Sequence, residues 1–176
     1  MPITAICFDT ETTGVNPNVD EILELSICDQ NGNKLLHSYF KPEKHTEWPG
    51  AERVNGISPE LVVDKPHIRE YLPRIQAIFD NPDLTALIGY NTIFDIRMLQ
   101  GAGVRIPEYL KVIDVMREFA PIYGEKNEKY SGYKWQKLTT CAAYYGYTWP
   151  AGAAHDSYAD TLATLYCYGK IYGENF

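Results

Sequence analysis

The sequence predicts an α/β protein in which helices cover both faces of a mixed central sheet. Apolar strand-like segments fill most of the first 40 residues, and Asn31-Gly32 between two of them is a hairpin signal. Apolar residues then recur at helical spacing between 68 and 79. Beyond this stretch, short apolar strands alternate with helical segments. We therefore expect an antiparallel meander followed by strand–helix units.

Each expected element follows from its local pattern. Four prolines make residues 41–66 a loop with short turns. Pro73 must either bend its helix or lie near the start, and Asn91 is placed to cap the next helix, which ends at Gly101-Ala102-Gly103. Residues 120–135 form a polar segment rich in Tyr and Gly. The expected strands are 3–9, 21–28, 34–40, 84–89 and 110–115, and the expected helices are 68–79, 91–99, 137–145 and 156–171.

Composition indicates one soluble globular domain over residues 1–176. Apolar residues make up 45% of the chain and charged residues 22%, which is ordinary for such a domain. No apolar run reaches the roughly 18 residues needed to span a membrane, and the N-terminus lacks a signal pattern. The four cysteines stand far apart, without a C-x-x-C pair, and argue against a zinc site. Free buried thiols fit a reducing, cytoplasmic location.

The charge distribution limits the kind of nucleic-acid surface that the chain can present. A net charge of −7 argues against a long duplex-binding groove. Residues 97–138 nevertheless carry 8 Lys and Arg against 5 Asp and Glu. A small basic patch within this stretch therefore remains compatible with the composition.

The first candidate site is the carboxylate pair Asp9 and Glu11, at the end of the first strand. Residues two apart in a strand point to the same face, so both charges aim at one place. Such charges repel each other unless a cation lies between them, and oxygen ligands suit Mg²⁺ or Mn²⁺. For a lone D-x-E pair, an Asp/Thr-rich turn after an edge strand is the better explanation.

Two further carboxylates lie far downstream. Asp95 falls one turn into a helix that follows a buried strand, where a charge favoured by the helix dipole is the simpler explanation. His155 precedes Asp160 by five residues, which on a continuous helix places the two about 140° apart. If Asp156 caps the helix, His155 lies on the preceding loop and can swing over the face that Asp160 presents. A histidine in this position, taken alone, is more often an ordinary surface or cap-side residue.

Together these stretches resemble the three motifs of the DEDDh exonuclease family, which includes the proofreading 3′→5′ exonuclease subunits of bacterial DNA polymerases. The resemblance covers most of the chain, and all five charged positions stand in family-like order and spacing. Residues 54–58 resemble the stretch between the first two motifs, and residues 120–137 are longer than in compact proofreaders. The motifs read Asp9-Thr10-Glu11-Thr12-Thr13-Gly14, Asn91-x-x-Phe94-Asp95 and His155-x-Ser157-x-x-Asp160.

The resemblance implies a ribonuclease-H-like fold and metal-dependent hydrolysis of a terminal phosphodiester, which releases nucleoside 5′-monophosphates. Two divalent ions, Mg²⁺ or Mn²⁺, would be held by four carboxylates, and His155 would accept the proton of the attacking water. The implied metal ligands are Asp9, Glu11, Asp95 and Asp160. The implied substrate-binding residues are Thr12 and Thr13 through their backbone, with Asn55, Asn91 and Phe94. Asp114 matches no family ligand and is interpreted as structural.

Three functions stay open at this stage. The first is a 3′→5′ exonuclease acting on single-stranded or frayed DNA, with a polymerase or another DNA-processing complex as a candidate partner. An RNA-trimming enzyme of the same fold would differ in contacts to the 2′-hydroxyl. A nucleic-acid-binding domain that has lost catalysis is the third. Trp135, between Lys134 and Lys137, is a candidate for base stacking, or else a hydrophobic anchor for the long segment.

Overall fold

Five strands form one mixed sheet, which confirms the predicted α/β class. The computed structural model describes residues 2–149 and 156–173. The sheet order is β3-β2-β1-β4-β5. β1 is antiparallel to β2, and β2 to β3, whereas β1, β4 and β5 run parallel. The strands are β1 (Ala5–Thr12), β2 (Ile22–Asp29), β3 (Lys34–Tyr39), β4 (Ala86–Gly89) and β5 (Lys111–Asp114).

Helices cover both faces of this sheet, as the sequence predicts. One core cluster packs α3 and α4 against one face, and a second packs α5, α6 and α7 against the other. No helix within residues 2–149 and 156–173 is long and apolar enough to cross a membrane. The helices are α1 (Pro49–Asn55), α2 (Pro59–Val62), α3 (Ile68–Phe79), α4 (Thr92–Gly101), α5 (Val115–Tyr123), α6 (Leu138–Tyr144) and α7 (Ser157–Tyr172).

The central strand β1 sends alternate side chains to the two layers. Phe8 packs edge-on against Phe79 of α3, with ring centroids 5.9 Å apart. Cys7 points the other way, and its Sγ lies 3.5 Å from a main-chain carbonyl of α7. Asp9 and Glu11 continue the side of the strand on which Cys7 lies. The fold therefore directs both carboxylates toward α7.

The first strand is longer than predicted. It runs to Thr12 and pairs with β2 as far as Ile22, across an irregularity between Glu11 and Thr12. The predicted strand ended at Asp9, and Asp and Glu have a low local preference for strands. Cross-strand hydrogen bonding outweighs that preference, so both carboxylates lie within the strand and not beyond it.

The proline-rich loop expected over 41–66 contains two short helices. Pro49 and Pro59 each stand in the first turn of one of them, where the missing N–H has no helical partner to lose. Ser58 caps α2 by accepting a hydrogen bond from the N–H of Leu61. Gly56 ends α1 with φ of 70°. These prolines therefore start helices, and the prediction of loop alone was wrong.

Helix α5 was also missed, because its second half falls in the segment predicted as polar and irregular. Asp114 caps it by accepting from the N–H of Met116, and Gly124 ends it in the left-handed region. Pro121 lies inside the helix. Its cost is small because the residue stands in the last turn, where little helix remains to be disrupted. Burial of Phe119 in the second core cluster stabilises the helix.

Candidate active site

Three carboxylates from distant parts of the chain meet on the α7 side of the sheet. Asp9 and Glu11 project from β1, and Asp160 projects from the first turn of α7. One oxygen from each lies within 4.8 Å of the others. The helix is held against the sheet at this point by the hydroxyls of Ser26 and Ser157, which bond at 2.7 Å. The packing of α7 on β1 and β2 therefore creates the cluster.

Asp95 adjoins the cluster from the opposite layer. It lies in the first turn of α4 and is 2% exposed. Its Oδ1 accepts hydrogen bonds from the backbone N–H of Thr10 at 3.0 Å and from the Thr10 hydroxyl at 2.6 Å. Among the charges acting on Asp9, that of Asp95 has the largest effect on its pKa. The two bonds from Thr10 therefore fix a fourth carboxylate beside the other three.

Burial and mutual repulsion raise the pKa values of the clustered carboxyls. Burial, and then the charges of Asp95 and Glu11, raise the pKa of Asp9 well above its usual range. Burial and the charge of Asp160 raise the pKa of Glu11 to about 8. Burial raises the pKa of Asp95 to about 7, although the hydrogen bonds from Thr10 oppose the shift. These groups cannot all hold their charges near neutral pH without added positive charge.

The residues present fit a hard divalent cation. All the donors are carboxylate oxygens, which suit Mg²⁺ or Mn²⁺ better than softer metals. Within the described part of the chain, Asp9, Glu11 and Asp95 form no ion pair with Lys or Arg. Asp9, Glu11 and Asp160 could hold one ion between them.

Asn55 supports the cluster from the end of α1. Its Nδ2 donates to the main-chain carbonyl of Thr12 at 3.2 Å, and its Oδ1 accepts from the N–H of Ile57 at 3.1 Å. A further hydrogen bond to Glu11 opposes the rise in the pKa of that carboxyl. Asn55 therefore ties α1 to the end of β1, and its contact with substrate stays a prediction.

The hydroxyls of Thr12 and Thr13 are committed within the protein. Thr12 Oγ1 donates to the carbonyl of Gly14 at 2.6 Å, and Thr13 Oγ1 lies 3.3 Å from Asp20 Oδ1. A Cβ on Gly14 would come 2.5 Å from the Asp20 carboxylate, so a larger residue here would displace that side chain. Any contact between this turn and a substrate would then use the backbone, as the family resemblance implies.

Asn91 and Phe94 stand at the start of α4. Asn91 occupies the cap position, but its side chain makes no capping hydrogen bond, so that expectation was wrong. The residue is left-handed, with φ of 65°, and its N–H donates to Asp114 Oδ1 at 3.0 Å. Phe94 is half-buried against the first core cluster. A supporting role for Asn91 and Phe94 stays a prediction.

His155 lies outside the described residues, so its proposed role as general base stays a prediction. That role needs the last helix to begin at a cap formed by Asp156, and the structure shows this cap. Asp156 caps α7, and its Oδ1 accepts from the N–H groups of Tyr158 and Ala159, both at 3.0 Å. The helix that carries Asp160 therefore begins after His155.

Sequence reasoning missed a second polar group beside the cluster. Glu24 of β2 pairs with Glu11 across the strands and is 0% exposed. Its Oε1 lies 2.8 Å from His37 Nε2, and its Oε2 accepts from the N–H of Ser157 at 3.3 Å. Glu24 thus anchors the start of α7. The signal was present, since Glu24 and Ser26 alternate with apolar residues along β2.

Solved structures share this architecture. The apo structure of exonuclease I matches with a TM-score of 0.76 at 20% identity, over 99% of this chain and 43% of that one. The zinc-bound E. coli exonuclease I–single-stranded DNA complex matches with a TM-score of 0.74 at 21% identity, over 96% and 40%. The chain therefore has the ribonuclease-H-like fold and spans less than half the length of these structures.

The chain belongs to the exonuclease family, whose model matches residues 6–168. It is 28% identical over 169 residues to the uncharacterized exonuclease CP81 of Escherichia phage 186, covering 91% of this chain and 84% of that protein. It is 27% identical over 176 residues to a DNA polymerase III subunit epsilon-like protein of Rhodobacter capsulatus, covering 96% and 24%. A PolC-type DNA polymerase III of Thermotoga maritima is 30% identical over 100 residues, which are 55% of this chain and 7% of that protein. Membership confirms the resemblance and makes the chain a nuclease hydrolase.

Proposed function

We propose that this chain is a 3′→5′ exonuclease that removes nucleoside 5′-monophosphates from single-stranded or frayed DNA ends with two divalent ions. The observation that supports it most directly is the convergence of Asp9, Glu11 and Asp160 within 4.8 Å. Asp95 stands beside Asp9 and is buried and fixed by Thr10. Bound divalent cations would offset this concentration of negative charge at neutral pH.

The residues divide the work between binding and proton transfer. Asp9, Glu11, Asp95 and Asp160 hold the ions, and the bonds from Thr10 and Asn55 keep two of these carboxylates oriented. When bound, a pair of divalent ions acidifies the attacking water and stabilises the charge on the leaving oxygen. His155 accepts the proton of that water. The backbone at Thr12 and Thr13 positions the terminal nucleotide.

DNA is proposed as the substrate because of what the similar proteins are. A solved neighbour is a complex of exonuclease I with single-stranded DNA. Several relatives carry the names of DNA polymerase III chains or subunits. A polymerase or another DNA-processing complex is proposed as a partner for the same reason.

Oligonucleotide digestion tests the proposal directly. Linear DNA labelled at the 5′ end should give a ladder that shortens from the 3′ side, while a 3′ label should appear at once as a mononucleotide. EDTA should stop both reactions, and Mg²⁺ or Mn²⁺ should restore them. A 3′-phosphorylated oligomer should resist digestion because it lacks the free 3′-hydroxyl.

Three results would contradict the proposal in different ways. Efficient cutting of a closed DNA circle would indicate an endonuclease. Undiminished activity in EDTA would exclude the metal-dependent reaction. Faster shortening of RNA than of DNA of the same sequence would instead support the RNA-trimming alternative.

A further inference from the structure

A cavity of about 550 Å³ adjoins the carboxylate cluster. Asp160 contributes to its wall, so the cavity and the proposed metal site share a residue. The rest of the wall is mainly aromatic and apolar. It includes Val54, Tyr90, Trp135, Lys137, Leu138 and Trp149. Pockets of this size and character commonly hold small organic groups.

The long segment after α5 is folded so that it presents Trp135 to this cavity. Lys126 and Tyr133 form an isolated antiparallel bridge. The backbone N–H of Lys134 donates to the carbonyl of Glu125 at 2.8 Å, and their side chains form an ion pair at the same distance. The segment is therefore a small hairpin, and Trp135 follows immediately after its closing residue.

Neighbouring contacts fix the position of the tryptophan. The hydroxyl of Tyr90 donates to the carbonyl of Gln136 at 2.9 Å, which pins the chain beside Trp135 to the end of β4. Arg117 lies over the indole, 5.1 Å from the ring centre. The guanidinium is itself held by Asp114, whose Oδ2 lies 3.3 Å from Arg117 Nε.

Trp135 is nevertheless 57% exposed. A hydrophobic anchor would bury most of its ring against the core, and the second core cluster does not include this residue. A ring that is positioned by a cation and a tethered backbone, yet left open to a cavity, is suited to stacking with another flat group. The exposure therefore favours the stacking interpretation over the anchor.

We propose that the cavity receives a nucleobase from the 5′ side of the scissile phosphate and stacks it on Trp135. The proposal rests on the exonuclease function proposed above. Thr12 and Thr13, to whose backbone the terminal nucleotide is assigned, do not line the cavity, which leaves it for a base further along the strand. Lys137 is exposed at the rim and provides a positive charge for the phosphate beside that base. A base inserted in this way cannot remain paired, so Trp135 makes the enzyme specific for unpaired strands.

A double-mutant cycle isolates this contact: Trp135 is changed in the enzyme, and one base is removed from the substrate. Single-stranded DNA oligomers would each carry one abasic tetrahydrofuran residue, at the second, third or fourth position from the 3′ end. We expect wild-type kcat/KM to fall roughly ten- to a hundredfold at one of these positions, the size expected for one stacked base. Trp135→Ala should lower kcat/KM on the intact oligomer by a similar factor, and the abasic residue should then cost little more. Trp135→Phe should retain most of the wild-type behaviour because it keeps an aromatic face.

Tyr130→Ala provides the matched control. Tyr130 lies on the same hairpin and is 76% exposed, but it does not line the cavity. This variant should digest intact oligomers like the wild type and keep the full abasic penalty. Thermal melting of all variants would show that differences in rate do not arise from unfolding.

The outcomes separate failure of this inference from failure of the proposed function. Suppose that the wild type shortens linear oligomers, but an abasic residue at each position lowers kcat/KM of Trp135→Ala by the same factor as that of the wild type. The stacking subsite is then refuted while the exonuclease function stands. If the wild type does not shorten linear DNA with a free 3′ end, the proposed function fails and the inference fails with it.

Discussion

At the scale of single residues, the proposed metal ligands work against the stability of the fold. Asp9, Glu11 and Asp95 all have raised pKa values because burial and mutual repulsion disfavour their charged forms. The same arrangement gives a divalent cation its binding site. Stability without metal and activity with metal should therefore change in opposite directions when one of these charges is removed.

Neutral, nearly isosteric substitutions test this opposition. Each should abolish digestion in Mg²⁺ while raising the melting temperature in EDTA, because repulsion in the cluster is relieved. Activity assays and thermal melts on the same preparations provide the measurement. The variants are Asp9→Asn, Glu11→Gln, Asp95→Asn and Asp160→Asn.

Glu108→Gln serves as the control for these variants, since Glu108 is exposed and stands apart from the cluster. This variant should change neither the rate of digestion in Mg²⁺ nor the melting temperature in EDTA. A member of the set that kept near-wild-type turnover would lose its assignment as a ligand.

The pKa of Glu11 predicts how stability depends on pH in the absence of metal. The folded protein holds this proton up to about pH 8, whereas an unfolded carboxyl releases it near 4.5. Between these values the folded state binds more protons, so stability falls as pH rises, by up to about 1.4 kcal/mol per pH unit for one proton. Denaturant unfolding in EDTA from pH 5 to 8 measures the slope. Glu11→Gln should flatten it, and an unchanged slope in that variant would contradict the shift.

His155 is expected to act on catalysis alone. His155→Ala should lower kcat by a factor of roughly 10²–10⁴ while oligonucleotide binding changes little. The wild-type rate should rise with pH through the imidazole pKa, and the variant should lose that dependence. Because metal-bound water can produce a similar limb, the comparison between variant and wild type is the measurement. An unchanged rate in His155→Ala would remove the residue from the mechanism.

At the scale of elements, the start of α4 is held in an unusual conformation. Asn91 is the non-glycine residue with positive φ in the described part of the chain, and Asp114 holds its N–H. This geometry lets α4 begin immediately after β4, which places Asp95 in the first turn and beside Asp9. The left-handed conformation of Asn91 therefore helps to place the Asp95 carboxylate beside Asp9.

Two substitutions separate the backbone of Asn91 from its side chain. Asn91→Ala should destabilise the protein by roughly 1 kcal/mol, because alanine tolerates the left-handed region less well than asparagine. Asn91→Gly should change the free energy of unfolding by only roughly a few tenths of a kcal/mol, since glycine adopts this conformation freely. Denaturant unfolding measures both. If the side chain also supports the substrate, Asn91→Gly should lose activity despite its stability, and full activity would refute that role.

At the scale of the whole molecule, an acidic chain must bind an acidic polymer. The net charge is −7, and the cations nearest the aromatic cavity are Arg117 and Lys137. Binding should therefore use few phosphate contacts and depend mainly on bound metal and stacking. So few phosphate contacts fit the proposed enzyme, which would bind the end of a single strand and not a long duplex.

The salt dependence of binding measures the number of those contacts. For a labelled single-stranded oligomer in EDTA, the plot of log affinity against log salt should have a slope of about −1 to −2, with about −0.7 per phosphate contact. Lys137→Gln should make the slope shallower by about one contact. Lys65→Gln, at an exposed lysine between α2 and α3, is the control and should leave it unchanged. A much steeper wild-type slope would indicate an extended basic groove.

Features that depend on local patterns could be predicted from the sequence. Periodicity predicted the meander, the strand–helix alternation and the full extent of α3, and the alternation of β1 placed Asp9 and Glu11 on one face. Capping chemistry predicted that Asp156 starts the last helix. Each of these follows from interactions within a few residues or between adjacent strands, which is why the sequence carries them directly.

Which of these elements meet depends on the three-dimensional packing and could not be predicted from the sequence. Pairing with β2 extended β1 to Thr12, and packing against the core stabilised α5 despite Pro121. The approach of Asp160 to Asp9, and the anchoring of its helix by Glu24, depend on contacts between residues far apart in the chain. The same is true of the cavity beside Trp135. Such contacts are fixed by how the layers pack as a whole, and no short stretch of sequence encodes that packing.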